Sequence, residues 1–320
     1  MEGTSPSRMR VRVRVPSKIN LFLAVRGVRE DTLHEVVTVL QTVSIHDTIV
    51  AEIDGSPAAS HPAARRLMEL VFTTDGAGTV PSDDENLAVR AARVLMQAAG
   101  VGTAPAGSHD GVPITRMHLQ KHIPVAAGLA GGSADAAGAL LALNRLWAAD
   151  LRRDELVELA GSLGADVPFC VVGGTALATG TGTATAQVLT RGTYNWVVGC
   201  SPEGLSTADV YRTFDEIGVP SDVEPDVVLH ALRTGDVDTL GVALYNDLEV
   251  AAFHLRPSLI AARDAMLQSG ALGAVVSGSG PTIVGLAASR TEAVRIARDV
   301  EGHFDRVELA VSPVGGPELQ

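Results

Sequence analysis

The sequence predicts an α+β protein of two domains. At 320 residues the chain exceeds what a single core commonly organises. Strand-like and helix-like segments interleave, but without the strict alternation of a doubly wound parallel sheet. Hydrophobic residues make up 46% and charged residues 19%, a composition that folds rather than staying disordered. No internal repeat is present, and the expected boundary falls near residue 190, giving domains of 1–190 and 191–320.

Met9 to Val15 alternates apolar and charged side chains, the pattern of a half-buried strand. Pro16-Ser17 is expected to break it before a second apolar run, Ile19 to Val25. Val36 to Val43 is β-branched and reads as strand, and His61 to Val71 reads as a short helix. Residues 51–84 otherwise read as a surface excursion. Glu85 to Ala99 carries apolar residues at 87, 91, 94, 95 and 98 and stops at Gly100, so it is a predicted helix. Gly102 to Pro113 reads as a loop and Thr115 to Gln120 as a strand. Ser133 to Trp147 reads as a helix, with Ser133 as N-cap and Asp135 in the first turn.

In the second half, Asp154 to Leu163 is predicted helical and Cys170 to Ala178 strand-like, with a hairpin or loop around 179–186. Trp196 to Cys200 is a short buried strand, and Val227 to Arg233 and Leu255 to Ser269 are helices. Ala274 to Val276 and Thr282 to Leu286 flank a Gly-rich turn; Thr291 to Val300 is a helix and Arg306 to Val311 a closing strand.

Charge and cysteine usage exclude several classes of function. The net charge of -12 comes with no basic stripe, which argues against a nucleic-acid partner. No apolar run is long enough to span a bilayer and MEGTSPSRMR lacks a signal-peptide core, so the expected location is cytoplasmic, with no membrane partner. Cys170 and Cys200 have no metal-ligand spacing and read as two reduced thiols. A phosphate site in so acidic a chain has to be made locally, from backbone N–H groups, helix dipoles and a few placed cations. Of the 25 basic residues only two are lysines, Lys18 and Lys121, and both lie beside motifs.

The strongest motif is P-V-A-A-G-L-A-G-G-S-A-D-A-A, residues 124–137. Its glycines permit close backbone approach, and it leads into a helix N-terminus, which together make an anion site. It lacks the Lys-Ser/Thr of a Walker A loop and is not G-x-G-x-x-G; alone, it could equally be a Gly/Ala-rich helix start packed on a sheet. P-S-K-I-N-L-F-L, residues 16–23, places Lys18 and Asn20 on one side of an extended segment, which a plain solvent-facing strand would also do. S-G-S-G-P-T, residues 277–282, sits between two apolar strands, as a simple hairpin turn would.

In this order, the three segments resemble the galactokinase, homoserine kinase, mevalonate kinase and phosphomevalonate kinase (GHMP) superfamily, across almost the whole chain. Within it, Lys18-Ile19-Asn20-Leu21, the E-D-T-L-H segment ending at His34, G-A-D-V-P-F at 164–169 and Ser279-Gly280-Pro281-Thr282 look most like one branch. That branch phosphorylates the cytidyl diphosphate of methylerythritol on the non-mevalonate route to isoprenoids. The resemblance implies an N-terminal domain of the ribosomal protein S5 domain 2 type and a ferredoxin-like C-terminal domain, with the active site in the cleft between them. It implies an ATP-dependent small-molecule kinase acting with Mg2+ on the 2-hydroxyl of that cytidyl substrate, as a monomer or weak homodimer. A homoserine- or mevalonate-type kinase, and a catalytically silent nucleotide-binding homologue, are the alternatives.

Carried onto this sequence, the resemblance makes Asp166 the general base and Lys18 its partner. Pro124, Val125, Ala126, Ala127, Gly128, Leu129, Ala130, Gly131, Gly132, Ser133 and Ala134 would wrap the triphosphate, with Ser133 near the metal. Lys121 and Asn86 would belong to the nucleotide site, and Asn20, His34, Thr207 and Tyr211 to the acceptor site, with Tyr211 stacking on the cytosine. Read without the family, Asp166 is a turn or cap carboxylate, Asn86 a helix N-cap and Tyr211 a core or surface ring. The chain departs from the family where Thr32-Leu33-His34 replaces Gly-[Tyr/Phe]-His, which removes one aromatic platform and predicts altered cytidine recognition. Ala130 stands where Gly is common; since a left-handed Ala costs roughly 1–2 kcal/mol, φ < 0 is expected there. Ala134 replaces a frequent second Ser.

Overall fold

The computed structural model describes residues 9–30, 32–54, 67–76, 80–100, 102–103, 114–201 and 204–320. In chain order the first elements are β1 (Met9–Val28), β2 (His34–Asp54), β3 (Leu67–Gly76), α1 (Leu87–Ala98), β4 (Gly102–Thr103) and β5 (Ile114–Lys121). There follow α2 (Gly131–Leu146), α3 (Arg153–Gly161), α4 (Val167–Val172), β6 (Thr175–Thr179), β7 (Ala184–Gln187) and β8 (Tyr194–Cys200). Next come α5 (Thr207–Ile217), α6 (Asp226–Thr234), α7 (Val237–Ala243), β9 (Tyr245–Asn246), α8 (Glu249–Leu255) and α9 (Ser258–Gln268). The last are β10 (Gly273–Val276), β11 (Ile283–Ala287), α10 (Arg290–Val300), β12 (Arg306–Ser312) and β13 (Glu318–Leu319).

The first sheet is mixed and is built on the long β1–β2 ribbon, in the order β13-β1-β2-β5-β3-β4, with β6, β7 and β9 attached beside that path. The second is four-stranded and antiparallel, in the order β10-β11-β8-β12. Helices α9 and α10 pack on it, giving a β-α-β-β-α-β chain order. This is the mixed α+β architecture that the sequence predicts.

Pro16-Ser17 does not break the first strand. Pro16 pairs with His46 and Ser17 with Val43, so Ser44 and Ile45 bulge out of β2 and β1 continues. A bulge is one of the few places where a sheet tolerates proline. On β2 the residues Val43, Ile45, Ile49, Ala51 and Ile53 are all buried, the period-two row of a core face. Helix α2 lies directly on that row: a Cβ at Gly138 would come within 3.1 Å of both Ile49 and Val15.

Several expected elements are corrected. Cys170 lies in α4, not in a strand, and β6 begins only after Gly173-Gly174. Residues 167–171 of α4 are all buried, and a short continuous apolar run does not distinguish strand from helix by periodicity. Of the helix expected at His61 to Val71, residues 67–71 form strand β3 and residues 61–66 lie outside the described residues, as do residues 104–113 of the expected loop. The helix expected from Leu255 to Ser269 is present as α9 but starts only at Ser258; Leu255 instead ends α8, and the two are separated at Arg256-Pro257, where proline disfavours helix for the residue before it. Ser133 is not an N-cap; α2 starts at Gly131, with Ala130 at the cap and no side-chain capping bond. Asp135 therefore sits beyond the first turn and is buried. Among the described residues no helix is long and apolar enough to cross a membrane.

Candidate active site

The three motif segments, distant in sequence, meet on one cleft of about 1110 Å3. Strand β1 carries Lys18 and Asn20 into its floor, while Ile19 and Leu21 of the same strand are fully buried on the other face. The Lys18 ammonium donates to Asn20 Oδ1 at 2.7 Å and lies 3.4 Å from Asp166 Oδ2. Asn20 Nδ2 in turn donates to Thr38 Oγ1 at 2.8 Å, and Thr38 Oγ1 to the Phe22 carbonyl at 2.6 Å. This chain of bonds fixes the orientation of a lysine that is only 5% exposed.

Asp166 occupies the residue before α4, but its side chain makes no capping bond. Its carboxylate, about one third exposed, faces the cleft and Lys18 instead. The cap reading that the sequence alone allowed is thereby set aside. Its Oδ2 lies on the cleft side, beside the Lys18 ammonium.

The Gly-rich loop is tied to both neighbours. The Lys18 N–H donates to Leu129 O at 3.2 Å, and Ser277 Oγ donates to Gly128 O at 3.0 Å. Asn20 N donates to that same Ser277 Oγ at 3.4 Å. Ala126, Ala127, Gly128, Ala130, Gly131, Gly132 and Ser133 line the cleft; Pro124, Val125, Leu129 and Ala134 do not. The expectation of φ < 0 at Ala130 is wrong: its φ is 53°, and Ala126 has φ 52°. Ala130 O accepts from Ala134 N at 2.9 Å as the first bond of the helix. The tertiary ties of Gly128 and Leu129 set the turn, and the alanine follows them despite the strain.

On the acceptor side, the His34 and Tyr211 rings lie with centroids 4.5 Å apart. His34 Nε2 is 2.7 Å from Asp215 Oδ1, and Thr207 Oγ1 shares a 2.9 Å hydrogen bond with Ser279 Oγ. Burial, with the Asp166 charge adding to it, pushes Tyr211 up to about 12, so it remains a neutral phenol at neutral pH. Leu33 is 54% exposed and lines the same cleft, so the missing aromatic leaves an aliphatic lip opposite a preserved ring pair. Thr32, where the resembled family has glycine, has φ 65°. That backbone explains the glycine and makes a β-branched residue there a strained substitute.

Two expected nucleotide residues do not line the cleft. Asn86 caps α1: its Oδ1 accepts from Ala88 N at 2.8 Å and its Nδ2 donates to Pro81 O at 2.7 Å. Lys121 is 4% exposed and pairs beneath the loop with Asp47 (2.5 Å) and Asp135 (2.7 Å). Burial alone would lower its pKa, but the two carboxylates outweigh it and hold Lys121 above its ordinary value. Sequence reasoning missed Asp47, Asp215, Arg212 and Asn246. Asp215 and Arg212 line the cleft from α5, a helix that was not predicted. Asn246 Nδ2 donates to Val276 O and Gly278 O, both at 2.8 Å, and so holds the Ser277 turn.

The family model described as GHMP kinases N terminal domain matches residues 86–174, and GHMP kinases C terminal matches residues 228–306. The chain belongs to the GHMP kinases. It is similar to 4-diphosphocytidyl-2-C-methyl-D-erythritol kinase of Salinispora tropica, 46% identical over 318 residues, covering 97% of this chain and 94% of that one. The kinase of the same name from Corynebacterium efficiens is 42% identical over 316 residues, covering 97% and 96%. A crystal structure of 4-(cytidine 5'-diphospho)-2C-methyl-D-erythritol kinase superposes with a TM-score of 0.76 at 33% identity, covering 95% of this chain and 100% of that one. Homoserine kinase from Cytophaga hutchinsonii, at TM-score 0.71 and 19% identity over 97% of each chain, shares the fold. As a GHMP kinase the chain is an ATP-using enzyme that phosphorylates an alcohol of a small molecule.

Proposed function

We propose that this kinase transfers the γ-phosphoryl group of ATP to the 2-hydroxyl of 4-diphosphocytidyl-2-C-methyl-D-erythritol, in non-mevalonate isoprenoid precursor synthesis. The observation that carries this reading is the Lys18–Asp166 pair at 3.4 Å, set beside the Gly-rich loop in a chain 46% identical to a kinase of that name. Asp166 takes the hydroxyl proton as the oxygen attacks. Lys18, beside Asp166, offsets charge growing on the transferred phosphoryl oxygens. The N–H groups of the loop and the start of α2 hold the triphosphate, which makes the anion site local in a chain of net charge -12. His34, Tyr211, Asn20 and Thr207 orient the cytidyl acceptor.

Oxygen donors of the kind Mg2+ selects are present in the cleft, the Ser133 hydroxyl and the Asp166 carboxylate. Magnesium commonly takes one or two protein oxygens and completes its shell with phosphates and water, so the residues fit it. When bound, the ion would neutralise phosphate charge. We assign residues 1–190 to the ATP-binding domain and 191–320 to the C-terminal domain, a division supported by the separate family matches at 86–174 and 228–306, with β9 and β13 of the second part returning to pair with β1. The enzyme is assigned to the cytoplasm, as a monomer or weak homodimer without a nucleic-acid partner.

ATP consumption measured with the cytidyl substrate, mevalonate or homoserine in turn should be stimulated by the cytidyl substrate alone. Stimulation by another acceptor reassigns the substrate, and stimulation by none removes the kinase assignment in this form. Asp166→Asn should lower kcat by about 10²–10⁴-fold with ATP binding retained; retained turnover would remove Asp166 from the role of base.

A further inference from the structure

The core row of β2 contains one residue that does not belong in a core. Asp47 shares the face of Val43, Ile45, Ile49, Ala51 and Ile53, and it is 0% exposed. A carboxylate buried this deeply is strongly unfavourable unless its oxygens are paired, and here both are. Oδ1 accepts the backbone N–H groups of His122 at 2.5 Å and Ile123 at 2.8 Å, the two residues that lead into the loop. Oδ2 accepts from Lys121 Nζ at 2.5 Å. The same ammonium donates to Asp135 Oδ2 at 2.7 Å, on the helix that follows the loop.

The entry of the loop is thus fastened to Asp47 directly, and its exit, at Asp135, is fastened to Asp47 through Lys121. A Cβ on Gly131, the first residue of α2, would lie 2.9 Å from Lys121 Nζ, so the ammonium sits against the start of the helix. A valine at 47 would satisfy the packing of the row and leave two backbone donors and the lysine without this acceptor. Burial pushes Asp135 well above the usual carboxylate range, with Lys121 opposing and Asp47 adding to the rise.

We propose that Asp47 is a positioning residue for ATP: acting through His122, Ile123 and Lys121, it sets the phosphate loop and the start of α2 in their binding geometry. The inference rests on the loop being the ATP site. It assigns Lys121 an indirect role, as the link from Asp47 to α2, in place of contact with nucleotide.

Titration calorimetry of a non-hydrolysable ATP analogue onto the full chain tests this, together with KM values for ATP and for the cytidyl acceptor. Asp47→Asn and Lys121→Met, confirmed as folded by circular dichroism, should each weaken analogue binding about tenfold, with KM for ATP rising in step. KM for the acceptor should stay within about twofold, and Asp47→Ala should be weaker than Asp47→Asn, which keeps an acceptor for the two N–H groups. Analogue affinity within twofold of wild type, or equal losses for ATP and acceptor as a general loss of structure would give, overturns the proposal. If the Asp47 variants do not fold, Asp135→Ala serves, since it leaves the Asp47 bonds in place and removes the acceptor that links Lys121 to α2. It should bind the analogue roughly threefold more weakly, and unchanged binding overturns the proposal. Wild-type protein that binds the analogue but ignores the cytidyl acceptor refutes the substrate assignment and leaves this test standing. Wild-type protein that binds no analogue refutes the reading of the loop before any variant is made.

Discussion

The Gly-rich loop and the Ser277–Thr282 turn pack against each other beside the cleft, and both bend through the left-handed region of backbone space. In the turn the residues that do so are Gly278 (φ 58°) and Gly280 (φ 80°), for which the conformation is nearly free. In the loop Gly128 (φ 74°) is flanked by Ala126 (φ 52°) and Ala130 (φ 53°), each carrying strain of about 1–2 kcal/mol. The turn holds its shape by composition, with Asn246 as a brace; the loop holds its shape by external ties, to Lys18, Ser277 and the buried Asp47–Lys121–Asp135 group. A left-handed turn built partly on alanine is therefore workable when the rest of the fold over-determines it.

The contact between the two regions offers the most direct way to break this arrangement. A Cβ at Gly128 would lie 2.1 Å from the Ser277 carbonyl oxygen, a backbone atom that has nowhere to yield. Gly128→Ala should cost about 3 kcal/mol or more in urea unfolding, from overpacking and a left-handed alanine together. It should also lower kcat/KM by at least about 10²-fold. A loss below about 1 kcal/mol would mean that the two segments are not in contact.

The buried ties can be read through pH. Asp135 has its folded pKa raised by burial, so the unfolded chain releases that proton first. Its contribution to stability is full below the ordinary carboxylate range and is lost as pH rises through the folded value. Asp135→Asn removes this dependence. The unfolding free energy of the variant relative to wild type should improve with rising pH, by up to about 1.4 kcal/mol per unit. Parallel pH profiles would show that Asp135 is ionised alike in both states. The smallest effect sharpens the contrast between glycine and alanine: Ala130→Gly should stabilise the protein by about 0.5–1 kcal/mol, strain relief less the added freedom of the unfolded chain. A destabilised Ala130→Gly would mean that the alanine methyl contributes packing worth more than the strain.

What the sequence made legible was the chemistry that is local in the chain. Residues 16–23, 124–137 and 277–282 each carry their glycines, lysine or asparagine within a few positions, and all three reach the same cleft. Partners brought together by the sheet were not legible. Lys121 was visible beside the loop, but its direction depends on Asp47, 74 positions earlier. A signal did exist in V-S-I-H-D-T-I-V-A-E-I, where an acid interrupts an apolar alternation. Helix α5 also had its marks, a Ser206 cap that accepts from Asp209 N and apolar residues at 210, 214 and 217 with helical spacing. The strained Ala126 and Ala130 could not be read from propensity, because their conformation is imposed by contacts from elsewhere in the fold.

The scarcity of lysine bears on how this enzyme meets covalent reagents. Lys18 and Lys121 are 5% and 4% exposed, and they are the only lysines in the chain. Its outer positive charge is therefore carried by guanidinium groups, which resist acylation at neutral pH because they stay protonated. Acetylation, carbamylation and amine cross-linking find no exposed lysine side chain on the folded enzyme. An acyl group that did reach Lys18 would remove the cation beside Asp166, so under the proposed mechanism lysine modification and inactivation become nearly the same event.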